Sequence, residues 1–152
     1  MHHYIDYKDF ERGNFSMPAH WIYCFNDNCK FRDTCLRRNT AHKLGKTLTW
    51  GKAVFPAACE DGECDFFVEM KTTVVAWGLK KALDGVRFGD MKALRHDIIK
   101  TMGSRRDFVR YNSGEWKLSE RQQRKISDAF GRYGYGDIEF DNYCEVVSLT
   151  GE

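Results

Sequence analysis

The chain has 152 residues, a formal net charge of +2, 42% apolar and 14% aromatic residues, and two prolines. That size suits one ordinary domain with a real core, and the aromatic content excludes a Pro-rich or disordered chain. No run of about 18 apolar residues is present, which argues against a spanning helix, and the polar start over residues 1–9 is unlike a signal peptide, so a cytoplasmic location is expected.

Residues 1–18 read as irregular, ending at Pro18, and the aromatic-rich residues 21–25 then carry the first cysteine. Residues 48–51 read as a turn, and residues 53–56 and 66–70 as short strands or extended segments. From Lys71 the apolar residues Val75, Leu79, Ala82 and Leu83 recur at helical spacing, predicting a helix that ends near Gly85, with Trp77 packed on a second element. A second helix is expected from Asp90 as N-cap through Met91, Leu94, Ile98 and Met102 to Gly103. Residues 107–118 read as a β-hairpin around Asn112-Ser113-Gly114. Ser119 and Gln122 form a capping-box pair for a third helix with Ile126, Ala129, Phe130 and Tyr133 on its apolar face. Ile138, Phe140, Val146 and Val147 suggest a final strand. The expected class is α+β: one small domain over 1–152, with an irregular segment 1–18, a cysteine-rich metal-binding lobe over 19–68, and a helix, helix, β-hairpin, helix part over 69–149.

Five of the six cysteines, Cys24, Cys29, Cys35, Cys59 and Cys64, fall within residues 24–64, while Cys144 stands apart. In a reducing compartment such a cluster is read as metal-binding or catalytic before it is read as a disulfide framework. The expected ligands are Cys24, Cys29, Cys35 and Cys64. Cys59 competes for the fourth place, because Cys64 precedes the apolar pair Phe66-Phe67 whereas Cys59 precedes a turn at Glu60-Asp61-Gly62. Four thiolates suit zinc, whose closed structural sites are tetrahedral. A 4Fe-4S cluster fits the same donors, the paired C-x2-C knuckles usual for zinc are missing, and free buried thiols or disulfides stay open. His20 and His42 flank the cluster as lesser ligand candidates.

Charge is unevenly placed, with seven Lys or Arg against two acids over residues 24–52 and ten against five over residues 66–111. Lys92, Arg95, Lys100, Arg105, Arg106, Arg110 and Lys117 are therefore candidate contacts for a protein or nucleic-acid partner, with Tyr111 and Trp116 available for stacking or for the core. No winged-helix order is matched. Neither a Gly-rich phosphate loop, nor G-x-S-x-G, nor H-E-x-x-H occurs, so no small-molecule substrate is suggested. A Cys-His nucleophile using His20, His42 or His96 is conceivable, but several neighbouring thiols favour ligation. The expected role is a metal-stabilised cytoplasmic adaptor or regulator of a protein or nucleic-acid partner, without membrane association. The alternatives are an iron-sulfur or thiol redox sensor and a nucleic-acid-binding regulator.

The combination Trp21-Ile22-Tyr23-Cys24-Phe25-Asn26, Cys29, Cys35-Leu36-Arg37, Trp50-Gly51-x-Ala53-Val54-Phe55-Pro56, Cys64-x-Phe66-Phe67, Ala76-Trp77-Gly78, Gly134-Tyr135 and Phe140-Asp141-x-Tyr143 resembles a family of small uncharacterised proteins from gut anaerobic bacteria. The resemblance spans roughly residues 17–147 and brings no activity with it. It implies that Cys24, Cys29, Cys35 and Cys64 belong to the family pattern, and an anaerobic source raises the iron-sulfur option.

Overall fold

A computed structural model describes residues 4–149 as an α+β fold of two compact units, one formed by residues 4–72 with 146–149 and the other by residues 73–145. Strand β1 (Tyr4–Asp6) leads directly into helix α1 (Tyr7–Arg12). The Asp6 carboxylate makes that junction by accepting from the backbone N–H groups of Lys8 at 2.8 Å and Asp9 at 3.4 Å. Residues 1–18 are thus not irregular throughout. β1 runs antiparallel to β5 (Asn142–Ser148), with Ile5 opposite Val147, a pairing between chain ends that no local pattern announces.

β2 (Ile22–Cys24) and β3 (Lys52–Val54) pair in parallel, with Cys24 opposite Val54. Between them, α2 (Leu36–Leu44) buries Leu36, Thr40, Ala41 and Leu44, a spacing of one apolar helix face. The Thr40 hydroxyl donates to Leu36 O at 2.9 Å and accepts from Trp21 Nε1 at 3.1 Å, so its burial leaves nothing unpaired. Ile5, Phe10, Leu36 and Val147 form one core cluster of this unit, and Tyr23, Ala41 and Leu44 a second. Residues 66–70 form no strand. They run past the start of α2, where Val68 O accepts from Leu36 N at 2.6 Å and Glu69 makes an isolated bridge with Cys35.

In the second unit two expectations are corrected. Val75 lies in strand β4 (Lys71–Trp77), and only α3 (Lys80–Asp84) is helical. The run Thr72-Thr73-Val74-Val75 is β-branched and favours the extended backbone, which outweighs the four-residue spacing of Val75 and Leu79. β4 is third in the sheet order β1-β5-β4, and Ala76 exchanges two backbone hydrogen bonds with Leu118, at 3.1 and 2.8 Å. At Gly78 the backbone turns with φ +83°, and the Asp141 carboxylate accepts from Lys80 N at 2.9 Å and Lys81 N at 2.8 Å, capping α3 from 60 residues away in sequence.

The second correction concerns the hairpin. Residues 105–113 form helix α5 (Arg105–Ser113), capped by the Ser104 hydroxyl, which accepts from Asp107 N at 3.1 Å and donates to the Asp107 carboxylate at 2.8 Å. Phe108, the buried residue of α5, joins the core with Tyr111 packed beside it, and Gly114 ends the helix with φ +84°. The Asn112-Ser113-Gly114 signal is therefore a helix terminus with a left-handed glycine, not a hairpin turn.

α4 (Phe88–Met102) and α6 (Glu120–Arg132) follow the expected apolar faces, and Ser119 and Gln122 make the reciprocal capping box. α4 begins before Asp90, whose carboxylate instead accepts from the Tyr135 hydroxyl at 2.7 Å and from Arg87 Nε at 3.1 Å. The core of this unit gathers Leu79, Leu94, Ile98, Leu118, Ile126 and Phe130, all nearly inaccessible. Each such side chain contributes about 1.5–3 kcal/mol on leaving water. No described helix is long and apolar enough to cross a membrane.

Candidate functional site

Five separate positions along the first unit bring cysteines to one cavity. Cys24 ends β2, Cys29 lies in the turn that follows, Cys35 precedes α2, Cys59 closes a short 3-10 helix (Pro56–Cys59), and Cys64 sits in the next loop. All five line a cavity of about 10 Å³, together with Phe31, Val54, Phe66, Phe67 and the three arginines Arg32, Arg37 and Arg38. That volume takes about one water-sized sphere, too little for an organic ligand. Cys24 and Cys35 are buried and the other three half-buried, and none forms a disulfide.

Two of the sulfurs are held by the chain itself. Phe31 N donates to Cys29 Sγ at 3.4 Å, and Asn26 N donates to the Cys24 thiol, each from two residues ahead. Such donors favour the charged sulfur. Burial nevertheless pushes the Cys24 thiol above its ordinary pKa, with the nearby charges of Cys35, Cys29 and Cys64 acting in the same sense. Cys59 is pushed up to about 12, chiefly by its hydrogen bond with Cys64, then by burial and by Cys29. At neutral pH these two sulfurs carry protons.

Arg37 fastens the walls. Its Nε donates to Phe66 O at 2.7 Å, its Nη1 donates to Ile22 O at 3.0 Å, and its guanidinium lies 4.7 Å over the Trp21 ring. One side chain on α2 thus ties the Cys24 strand to the loop carrying Cys64. Arg38 pairs with Asp27 Oδ1 at 2.6 Å, and Arg32 Nη1 donates to Asp27 O at 3.1 Å, fixing the turn before Cys29. None of these arginines was singled out as a site residue by motif. Their one signal was position, two or three residues after Cys29 or Cys35.

The potential donors around this cavity are all sulfur, beside the cationic side chains of Arg32, Arg37 and Arg38. Sharing a cavity is not the same as converging, however. Among the described residues no three His, Cys, Asp or Glu side chains are grouped so as to hold an ion. Ligation by Cys24 and Cys59 would require loss of the protons that their raised pKa values retain. His20 and His42 are exposed and line no part of this cavity.

In the second unit the basic candidates separate. Lys92, Arg95 and Arg105 meet along a cleft between α4 and α5, with Arg95 lying 5.3 Å over the Phe108 ring. Arg110 is engaged elsewhere, 4.6 Å over Trp116 and 3.5 Å from Glu115. Lys117 lies 3.4 Å over Trp77 and donates to Gly114 O at 2.8 Å, and burial lowers its pKa. Lys100 and Arg106 are exposed outside the cleft. Tyr111 and Trp116 pack edge to face at 5.4 Å, with the Tyr111 hydroxyl accepting from Gln122, so both are packing residues.

A family model described as a family of unknown function, DUF6078, matches residues 6–149. No curated protein and no solved structure matches the chain.

Proposed function

The chain belongs to the family of unknown function DUF6078, and from its own residues we propose that the first unit is a cysteine metal site within a small adaptor or regulatory protein. Cys24, Cys29, Cys35 and Cys64 are the proposed ligands, Cys59 is the competitor for the fourth place, and zinc is the proposed ion. The observation that carries this reading is the meeting of five thiols from separate segments around one cavity of about 10 Å³. The small cavity favours a single ion over a 4Fe-4S cluster. A tetrathiolate site around a dication carries net negative charge, and Arg32, Arg37 and Arg38 supply the compensating cations. Zinc would add cross-links between segments that have little regular structure of their own, which is what a structural site does in a small domain. The adaptor or regulatory role draws on the basic cleft of the second unit, whose cations suit an acidic protein or a nucleic acid.

The test is elemental analysis and visible spectroscopy of protein purified without oxygen, with thiol titration of the same sample. One equivalent of zinc in colourless protein supports the reading. A brown protein with iron and sulfide would move the site to the iron-sulfur alternative, the outcome an anaerobic origin favours. Metal-free protein whose five thiols all react freely, or pair as disulfides, would overturn it.

A further inference from the structure

The cleft between α4 and α5 combines features that rarely stay exposed together. Its apolar part includes Phe88, 98% exposed at the start of α4, and Val109, 58% exposed on α5, with the half-buried Met91 and Ile99 between them. Phe88, Met91, Arg95 and Ile99 recur at helical spacing, so they line one face of α4 over about 16 Å at 1.5 Å per residue. Exposed apolar surface bordered by charge marks interaction sites more than chance exposure. Cations predominate at its border: Lys92, Arg95 and Arg105 make no ion pair among the described residues. One acid, Asp97, also lines the cleft, its carboxylate accepting from the Tyr133 hydroxyl at 2.7 Å, and the three cations outnumber it.

We infer that this cleft, of about 1140 Å³, binds an acidic amphipathic helix of a partner protein, with apolar side chains against Phe88, Met91, Ile99 and Val109 and carboxylates against Lys92, Arg95 and Arg105. The length of the α4 face matches three turns of such a helix, and unpaired cations beside apolar surface fit carboxylates flanking an apolar stripe. A nucleic-acid strand fits less well. Stacking needs a series of accessible rings, and Phe88 is the one exposed aromatic here, since Phe108 is buried. The inference deepens the adaptor reading by naming the partner's chemistry, and it does not depend on the metal.

The test uses the full chain and a fluorescein-labelled 18-residue synthetic helix with leucines on one face and glutamates beside them, followed by fluorescence polarisation. A peptide with lysine for glutamate and a 20-nucleotide oligothymidine serve as rivals. Saturable binding of the acidic peptide is expected, weakened at least tenfold by Phe88→Ala and by Lys92→Glu with Arg95→Glu, and unchanged by Arg106→Glu. Phe88 is so exposed that its truncation leaves the core intact, and circular dichroism checks this. Absence of saturable binding, equal binding by all variants, or tighter binding of the oligonucleotide would overturn the inference. Zinc content measured on the same samples separates the two readings: loss of peptide binding with zinc retained sinks the cleft alone, and binding without zinc sinks the metal site alone.

Discussion

Arg37 Nε donates to the main-chain carbonyl of Phe66 at 2.7 Å, across 29 residues of sequence. With its second bond to Ile22 O, it joins the strand ending at Cys24 to the loop that follows Cys64. A planar guanidinium with separated donors can serve two carbonyls at once, whereas an ammonium is a point charge without that fork. Arg37→Ala is expected to cost about 1–2 kcal/mol for the charged hydrogen bonds lost, and Arg37→Lys to recover only part of it. Urea denaturation checks the stability, and alkylation rates of Cys24 and Cys64 check the loosening of the walls.

Replacement of cavity cysteines should separate from replacement of Cys144. Cys144 lies on β5 and is not among the residues lining the cavity. Cys144→Ser is expected to leave zinc content unchanged, and Cys24→Ser to lower it by more than half. The pair is read by elemental analysis, with circular dichroism confirming that both variants fold.

Gly114 meets two demands at once. Its φ is +84°, and a Cβ there would stand 2.6 Å from the Trp77 ring. Gly114→Ala is expected to destabilise by more than about 2 kcal/mol, the sum of left-handed strain and a clash with a ring that cannot simply swing aside. A fall in the thermal midpoint measures it, and Gly131→Ala, where a Cβ meets nothing within 4 Å, is the neutral comparison.

Asp141 caps α3 through the N–H groups of Lys80 and Lys81, and its backbone N–H donates to Gly78 O at 2.9 Å. Asp141→Ala removes the side-chain acceptor and is expected to cost about 1 kcal/mol. Asp141→Asn, which keeps an oxygen, should lose less in the same denaturation experiment.

Two tyrosine–aspartate contacts set opposite pH limits on the second unit. The Tyr135 hydroxyl, and secondarily Arg87, hold the Asp90 carboxyl below its ordinary pKa. Its stabilisation is present above the ordinary carboxylate pKa of about 4 and disappears as pH falls through the lowered value. Tyr133, donating to Asp97, is held above its ordinary pKa. Its contribution is complete below about pH 10 and disappears as pH rises through the raised value. Asp90→Asn should flatten the acid limb of the stability profile and leave the alkaline limb, and Tyr133→Phe the reverse, in denaturant midpoints measured across pH.

Local signals were legible where one segment carried the whole instruction. Ser119 and Gln122 announce α6 because a capping box is complete within four residues. The clustering of five cysteines within residues 24–64 marked the stretch whose side chains line one small cavity. α2 was hidden: its sequence LRRNTAHKL is largely polar, and Cys35 before it makes no side-chain cap. The hairpin misreading at residues 107–118 arose because a left-handed glycine serves a turn and a helix end equally, and only the packing of Phe108 in the core decides between them. β1 and the Asp141 cap depend on partners more than 60 residues away, which no window of sequence contains.

β5 is shared: residues 142–145 belong to the second unit, while residues 146–148 pair with β1 in the first. During synthesis, residues 73–145 emerge as a continuous stretch, and Tyr4–Asp6 must wait for Val146–Ser148 before finding their hydrogen-bonding partner. Growth of the chain therefore imposes an order of completion, with β1 secured only after residues 73–145 have been made. A nascent chain halted near residue 140 leaves Ile5 without Val147 and exposes an open strand edge to neighbouring chains.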